Sequence, residues 1–581
     1  MNCNKISGFT DWDDLYVAVD EDMRALVALC AIIALHFGYS AFAEESVFID
    51  APAGRIEGLV GEKGLLFRGI PFAEPPVGKL RFKNTVRKGP LSYINATQER
   101  GGCYQQCDLP HWACPDIMSE DCLFLNVFTP AKVDTFIPVM VYFHGGNYKM
   151  GFGGGPLYNG SYIAEQQNVI VVAVNYRLGV FGHLAIPEVG IDANLAVQDQ
   201  RVALEWVRDN IESFGGSRSH VTIFGQSAGA GSVAALLISP RARGLYSGAI
   251  LLSNPFGIKF REQKSMAAVA KRMSVHLGCS LIDQDCWWTK TADDLVKAGL
   301  KCEVDVEATG GSLLQVFLPW TPYAGTEEVP YTPAHAFQNN LIADVPMIIG
   351  TVEEEALLFI YQAFLKEVDA VQYELVLLAI INFDFEKTKR AMERFPAIKG
   401  DHRGQLASMG TNWIFQCPQR GNVRGLLNKG RKSPVYQYVY SHVLSFEKDI
   451  WGPSGDYCFG HTCHGIELPI VWSSARPLFN YTADEMELSL AIVDYFGSFA
   501  RTGVPTGDRP RAVGVSQSLD KLARSVGLGG RSGGALPEWP AYTNNVTTQL
   551  WLAGQADGGI RTVKDYVAED CDFWDTIGYA E

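Results

Sequence analysis

The sequence predicts an α/β protein in which a mostly parallel central sheet is flanked by helices on both faces. Two observations carry that prediction. First, residues 139–143 (VMVYF) and 169–174 (VIVVAV) are continuous, β-branched apolar runs rather than alternating ones. Such runs mark strands buried on both faces. Second, helical patterns separate the strand-like runs. Residues 198–212 place Val202, Leu204, Trp206, Val207 and Ile211 on one stripe. Residues 221–224 (VTIF) then read as another strand, and Leu251-Leu252 as the end of a further one. Alternation of this kind builds a parallel sheet covered by its crossover helices. No internal repeat or change of composition divides the chain, so residues 44–581 read as one large domain with insertions. Residues 513–536, with glycines at 527, 529, 530, 533 and 534 among Ser and Arg, read as a flexible surface insertion.

Composition sets the compartment and excludes some partners. Of 581 residues, 47% are apolar and 19% charged, which is enough for a substantial core. The formal net charge of −15 excludes nucleic acid as a partner and suits a solubility charge. Near the N-terminus an apolar run over 25–35 follows Arg24 and precedes Ala41-Phe42-Ala43. This is the charge, apolar core and cleavage-site order of a secretory leader, over residues 23–43 with Met23 as start. The run is shorter than the about 20 apolar residues that span a bilayer. Residues 1–22 carry six acidic residues and read as an upstream extension. The final residues Gly578-Tyr579-Ala580-Glu581 offer no apolar tail, so no stable membrane anchor is expected.

Secretion makes the 13 cysteines readable as a disulfide framework. Cys3 and Cys30 precede the expected cut. Close pairs stand at Cys107/Cys114, Cys279/Cys286 and Cys458/Cys463, and Cys103 and Cys122 bracket the first. No C-x-x-C pair has a matching Cys or His pair, so neither a metal nor another cofactor is expected. Sequons at Asn95, Asn159, Asn480 and Asn545 fit the same compartment.

Gly225-Gln226-Ser227-Ala228-Gly229 matches G-x-S-x-G, but so does Gly530-Arg531-Ser532-Gly533-Gly534. Context separates them. A nucleophile elbow needs a strand entering and a helix leaving. Ser227 has both, whereas Ser532 lies in the Gly-rich insertion. Upstream, the strand at 139–143 runs into His144-Gly145-Gly146-Asn147, the kind of loop that supplies oxyanion donors in this architecture.

Together these segments resemble the type-B carboxylesterase and cholinesterase family, an α/β-hydrolase fold, from about Phe67 to Trp574. The resemblance rests on ordered blocks: residues 67–73 (FRGIPFA), 119–127 (SEDCLFLNV), 175–179 (NYRLG), 214–216 (FGG) and the elbow. It implies a triad of Ser227 as nucleophile, His464 as base and Glu355 as the acid orienting it. His464 lies in the family's H-G-x-E-L-P-like loop, and His461 reads as a loop residue. Glu355 lies in 350–355 (GTVEEE), which departs from the family at Val352 (usually Asn) and Ala356 (usually Gly), leaving Glu354 as the alternative acid. The implied oxyanion donors are the amides of Gly146, Asn147 and Ala228, with Asn147 standing where a third glycine is usual. The resemblance also implies pairs Arg81/Glu120 and Arg177/Asp199, and disulfides Cys103/Cys122, Cys279/Cys286 and Cys417/Cys571. Cys107/Cys114 and Cys458/Cys463 remain as pairs, leaving Cys302 free.

The expected substrate is a small-molecule ester. Trp112, near the family's choline-contacting tryptophan, favours a cholinesterase. Gln226, uncharged where cholinesterases usually have Glu, opposes it, as do the constraints Cys114 and Pro115 place on Trp112. Hydrolysis of neutral carboxylic esters is therefore expected, with a lipase-like activity as a variant. A non-catalytic adhesion protein of neuroligin type is the other class, and the complete Ser, Glu and His set opposes it. Nothing in the sequence specifies an oligomeric state.

Overall fold

In the computed structural model the apolar runs form the middle of a single large sheet. The structure describes residues 45–579 apart from 111–112, 134–135, 306–314, 316–317, 382 and 508–535. The leader at 23–43, Trp112, Ser532 and all of segment 513–536 except Leu536 therefore lie outside the described residues.

Four strands, β1 (Ser46–Ala51), β2 (Gly54–Gly61), β3 (Gly64–Pro71) and β4 (Phe124–Thr129), form an antiparallel flank. The strands β5 (Ile137–Phe143), β6 (Ile170–Val174), β7 (Gly216–Gln226), β8 (Gly248–Leu252), β9 (Met347–Val352), β10 (Val435–Tyr440) and β11 (Thr548–Leu552) run parallel. An antiparallel β12 (Arg561–Lys564) closes the far edge. The spatial order is β1-β2-β3-β4-β6-β5-β7-β8-β9-β10-β11-β12, with the short strand Tyr93–Asn95 beside β2.

The helices that bear on the site are α1 (Leu195–Asn210), α2 (Ala228–Ile238), α3 (Ala370–Ile380), α4 (Arg403–Gly410), α5 (Cys417–Asn428), α6 (Ala483–Thr502) and α7 (Ala568–Ile577). Side chains of a strand alternate between faces, and here the two sets enter two cores. Val139, Val141 and Phe143 of β5 join Ile223 of β7 in a core completed by α1 and α2. Met140 and Tyr142 of β5 join Phe224 in a second core, where Leu488, Ile492 and Phe496 of α6 pack. Burial on both faces is why these runs lack alternation. The five stripe residues of the expected helix over 198–212 are all buried. That helix begins earlier, at Leu195, and tightens to a 3₁₀ turn over Ile211–Phe214. The 20-residue α6 starts at a capping box in which Thr482 and Glu485 satisfy each other's backbone amides, and it ends at Gly503 in the left-handed conformation.

Among the described residues five disulfides brace the chain: Cys103–Cys122, Cys107–Cys114, Cys279–Cys286, Cys417–Cys571 and Cys458–Cys463, with Cys302 a buried free thiol. The pairs Arg81/Glu120 and Arg177/Asp199 are both formed. Asp199 is fully buried and takes two hydrogen bonds of 2.8 Å from the Arg177 guanidinium, which also reaches the Lys83 carbonyl and the Thr85 hydroxyl. Removing one partner of such a pair strands the other charge in the core. Asp199→Ala is therefore expected to lower stability by about 3–5 kcal/mol, read as a drop in the denaturant midpoint. A variant with an unchanged midpoint would contradict this account.

Candidate active site

The site begins where β7 turns into α2. Ser227 caps α2 with φ 57° and ψ −122°, a conformation strongly disfavoured for any residue with a side chain. The turn lifts the serine side chain above the carboxyl end of the sheet. It fits only because α2 can press against β5: a Cβ at Gly229 would come within 2.0 Å of the Phe143 carbonyl oxygen. Ser227 is buried but lines a cleft.

Two neighbouring loops bring the other expected residues to it. The loop after β9 carries Glu355, which is fully buried. One Glu355 oxygen accepts the Val352 amide at 2.9 Å, and the other lies 2.5 Å from His464 Nδ1. Val352 thus holds the glutamate through its backbone, and the asparagine usual at that position is not needed for this contact. Ala356, the second departure, has φ −85° and needs no glycine. Its methyl group fits because Gly410 faces it: a Cβ there would lie 2.9 Å away.

On its other side, His464 Nε2 meets the Gln226 amide nitrogen at 3.2 Å. A carboxylate only accepts, so the Glu355 contact puts a ring proton on Nδ1. Phe359 and Phe415 flank the imidazole with ring centroids at 5.0 and 5.4 Å. Glu354 does not reach His464 and instead pairs with His461 at 2.8 Å.

The loop after β5 supplies the remaining expected group. Gly146 has φ 109°, and a Cβ there would strike the Met150 carbonyl at 2.2 Å, so glycine is required. Asn147 follows at φ 54°, a left-handed conformation that asparagine adopts more readily than most residues. Among the described residues, no hydrogen bond occupies the amides of Gly146, Asn147 or Ala228. His144 anchors this loop from below: it stacks on Tyr176, whose hydroxyl donates to the His144 carbonyl at 2.6 Å. Burial pushes the His144 imidazole down to about 4, so it is a neutral structural group.

A cleft opens above Ser227. Leu377 and Ile380 of α3 and Leu406 and Met409 of α4 form one wall. Trp413, Ile414 and Phe415 form another, from a π-helical segment (Thr411–Gln416) that joins α4 to α5. Such wide turns concentrate at functional sites. Trp574 of α7 reaches the same cleft, tied to α5 by Cys417–Cys571. Among the described residues no charged side chain lines it. The sequence points to Ser227, Glu355 and His464 but shows none of these walls, nor the Gln226 contact. The apolar run at 375–381 was visible, yet its even hydrophobicity gave no face to assign. Of the four sequons, Asn95, Asn480 and Asn545 are exposed, while Asn159 is half-buried.

A serine on a strained strand-to-helix turn, a glutamate-held histidine and an open pair of glycine-loop amides define a hydrolase of the α/β-hydrolase fold. Residues 45–574 match the model of the carboxylesterase family, and the chain belongs to that family. "Crystal protein" of Dictyostelium discoideum is 36% identical over 461 residues, covering 78% of this chain and 81% of that protein. Para-nitrobenzyl esterase of Bacillus subtilis (strain 168) is 31% identical over 465 residues, covering 78% and 89% respectively. A solved structure of a PNB esterase superimposes with a TM-score of 0.72 at 27% identity, over 90% of this chain and 99% of that one.

One further acid stands close by. Glu467, in the helical turn after His464, is buried. Burial, and then the Glu355 carboxylate, push its carboxyl up to about 7, against the pull of His464. An unfolded glutamate titrates at about 4.3, so between these values the folded chain holds a proton the unfolded chain has lost. Stability from this group therefore falls as pH rises through that window. Glu467→Gln removes the ionisation, and its melting temperature should match the parent's near pH 4. By pH 8 it should exceed it, through an advantage on the order of 3 kcal/mol. A difference that stays constant across this range would contradict the account.

Proposed function

We propose that this protein is a secreted serine carboxylesterase that hydrolyses neutral carboxylic esters through an acyl-enzyme on Ser227. The observation that carries the reading is the Glu355–His464 contact beside the elbow, where His464 Nε2 meets Gln226 and Ser227 lines an uncharged cleft. A serine hydroxyl attacks an ester carbonyl only if a base takes its proton. His464 Nε2, on the side of the ring that faces the elbow, is that base. The proton moves from Ser227 to His464 as the Oγ–C bond forms, and Glu355 steadies the resulting imidazolium.

The carbonyl oxygen, now an oxyanion, is held by the free amides of Gly146, Asn147 and Ala228, each donor worth roughly 2.7–4 kcal/mol. His464 then returns the proton to the leaving alcohol, and the C–O bond of the ester breaks. Water repeats the sequence on the acyl-enzyme and releases the acid. Glu354, turned to His461, takes no part in these proton transfers.

The cleft suits uncharged, apolar substrates, because its described walls are apolar almost throughout and carry no charge. Gln226, neutral beside the base, agrees with this. A relative named para-nitrobenzyl esterase points the same way. Five disulfides, three exposed sequons and the leader-like run at 23–43 support an extracellular site of action.

Incubation with an organophosphate is expected to modify Ser227 and to abolish hydrolysis of short-acyl nitrophenyl esters. Ser227→Ala should lose the label and lower kcat by roughly 10⁴-fold or more. A folded parent that takes no label and hydrolyses no ester sinks the reading. Gln226→Glu would set a carboxylate against the imidazole and favour its protonated, inactive form. The acid limb of the kcat/KM profile should then move to higher pH by roughly one unit. An unmoved limb would show that residue 226 does not face the base.

A further inference from the structure

We propose that Glu354 and His461 are positioning residues, a second glutamate–histidine pair that fixes the loop carrying His464. The proposal rests on the esterase reading above. It starts from the two consecutive glutamates after β9. Glu355 turns inward to His464, and Glu354 turns outward to the same loop three residues earlier. One Glu354 oxygen lies 2.8 Å from His461 Nδ1, and the other accepts the Thr462 amide at 2.9 Å. Glu354 and Cys463 also pair as an isolated parallel β-bridge.

The histidine loop is closed on its far side. Cys463 is bonded to Cys458, and both are fully buried. The His461 amide donates to the Cys458 carbonyl at 3.1 Å, and the Ile466 amide to the Cys463 carbonyl at 3.0 Å. Residues 458–466 are therefore a stapled turn whose one side-chain attachment to the glutamate loop, other than the triad contact itself, is Glu354. Both loops leave the end of the sheet, and beyond the single Glu354–Cys463 bridge no strand pairing fixes their spacing. The Glu354 carboxylate does so, with a charge-assisted bond to a backbone amide.

The effect expected is kinetic rather than thermodynamic. The His461 and Glu354 side chains retain 43% and 36% of their exposure, and exposed pairs contribute at most about 1 kcal/mol to stability. Base geometry is far less forgiving, since a misplacement of about 1 Å can lower turnover on the order of a hundredfold.

The test compares His461→Ala, Glu354→Ala and Glu354→Gln with the parent in nitrophenyl ester hydrolysis, organophosphate labelling of Ser227 and thermal melting. His461→Ala and Glu354→Ala should melt like the parent and keep KM within about twofold, while kcat and the labelling rate fall roughly tenfold or more. Glu354→Gln keeps an acceptor for the Thr462 amide and should recover part of the loss. Folded alanine variants with kcat within about twofold of the parent overturn the proposal. If Glu354→Ala does not fold, His461→Ala decides by the same criterion. An active parent with unaffected variants overturns the positioning pair alone, whereas a parent that neither labels nor turns over overturns the esterase reading and this proposal with it.

Discussion

The backbone at Ser227 is the constraint around which the rest is arranged. A residue held at φ 57° and ψ −122° stores roughly 1–3 kcal/mol, and it persists only where the surroundings leave no alternative. Here β7 is locked between β5 and β8, with Gly225 in register with Phe143 on one side and with Leu251 on the other. The Ser227 amide donates to the Leu252 carbonyl, so the strained residue itself is still tied to the sheet. Helix α2 is buried along its whole length and cannot swing away to relax the turn. Strand order then fixes the chemistry. Because β5 neighbours β7, the glycine loop that leaves β5 arrives beside Ser227. Because β8 and β9 follow on the other side, the glutamate loop arrives within reach of the histidine.

Electrostatics in this pocket work by separation of roles. Glu355 and Glu467 are both buried near His464, and two adjacent anions in so dry a place would repel strongly. The outcome is asymmetric. Glu355 is held by a backbone amide and the imidazole, and Glu467 is pushed toward its neutral form. Glu354 is removed from the competition altogether by His461 and the Thr462 amide. One charge is thus left facing the base, which is what a single proton relay can use.

The parts of this design differ in how plainly the sequence announces them. The sheet was legible because two-sided burial leaves a direct trace, an unbroken β-branched run such as 169–174. Ser227 was legible because the elbow needs a strand, small neighbours and a helix in immediate succession. The order Ser, Glu, His and the Cys417–Cys571 pair came from resemblance, since partners more than a hundred residues apart leave no local pattern. The cleft walls left even less. Leu377, Met409, Phe415 and Trp574 come from four separate segments, and any one of them reads as ordinary core. Gln226 was noticed only for its lack of charge, because the sequence cannot say which way a side chain beside the nucleophile turns.

The departures from the family's usual residues show how such a site tolerates change. Ala356 adds a methyl group where glycine is usual, and it fits because the facing position is Gly410, a residue distant in sequence and unremarkable by itself. Val352 loses an asparagine side chain but keeps the amide that Glu355 needs. Asn147 follows the same logic. The conformation required at φ 54° is one asparagine accepts, and the donor that matters is its backbone N–H, which substitution does not remove. In each case the function resides in the backbone, and the side chain is free to vary within the space around it. Asn147 differs in one respect: it lines the cleft, which among the described residues has no other amide side chain. On the proposed mechanism its effect therefore falls on which esters fit beside Ser227 rather than on whether the oxyanion is held.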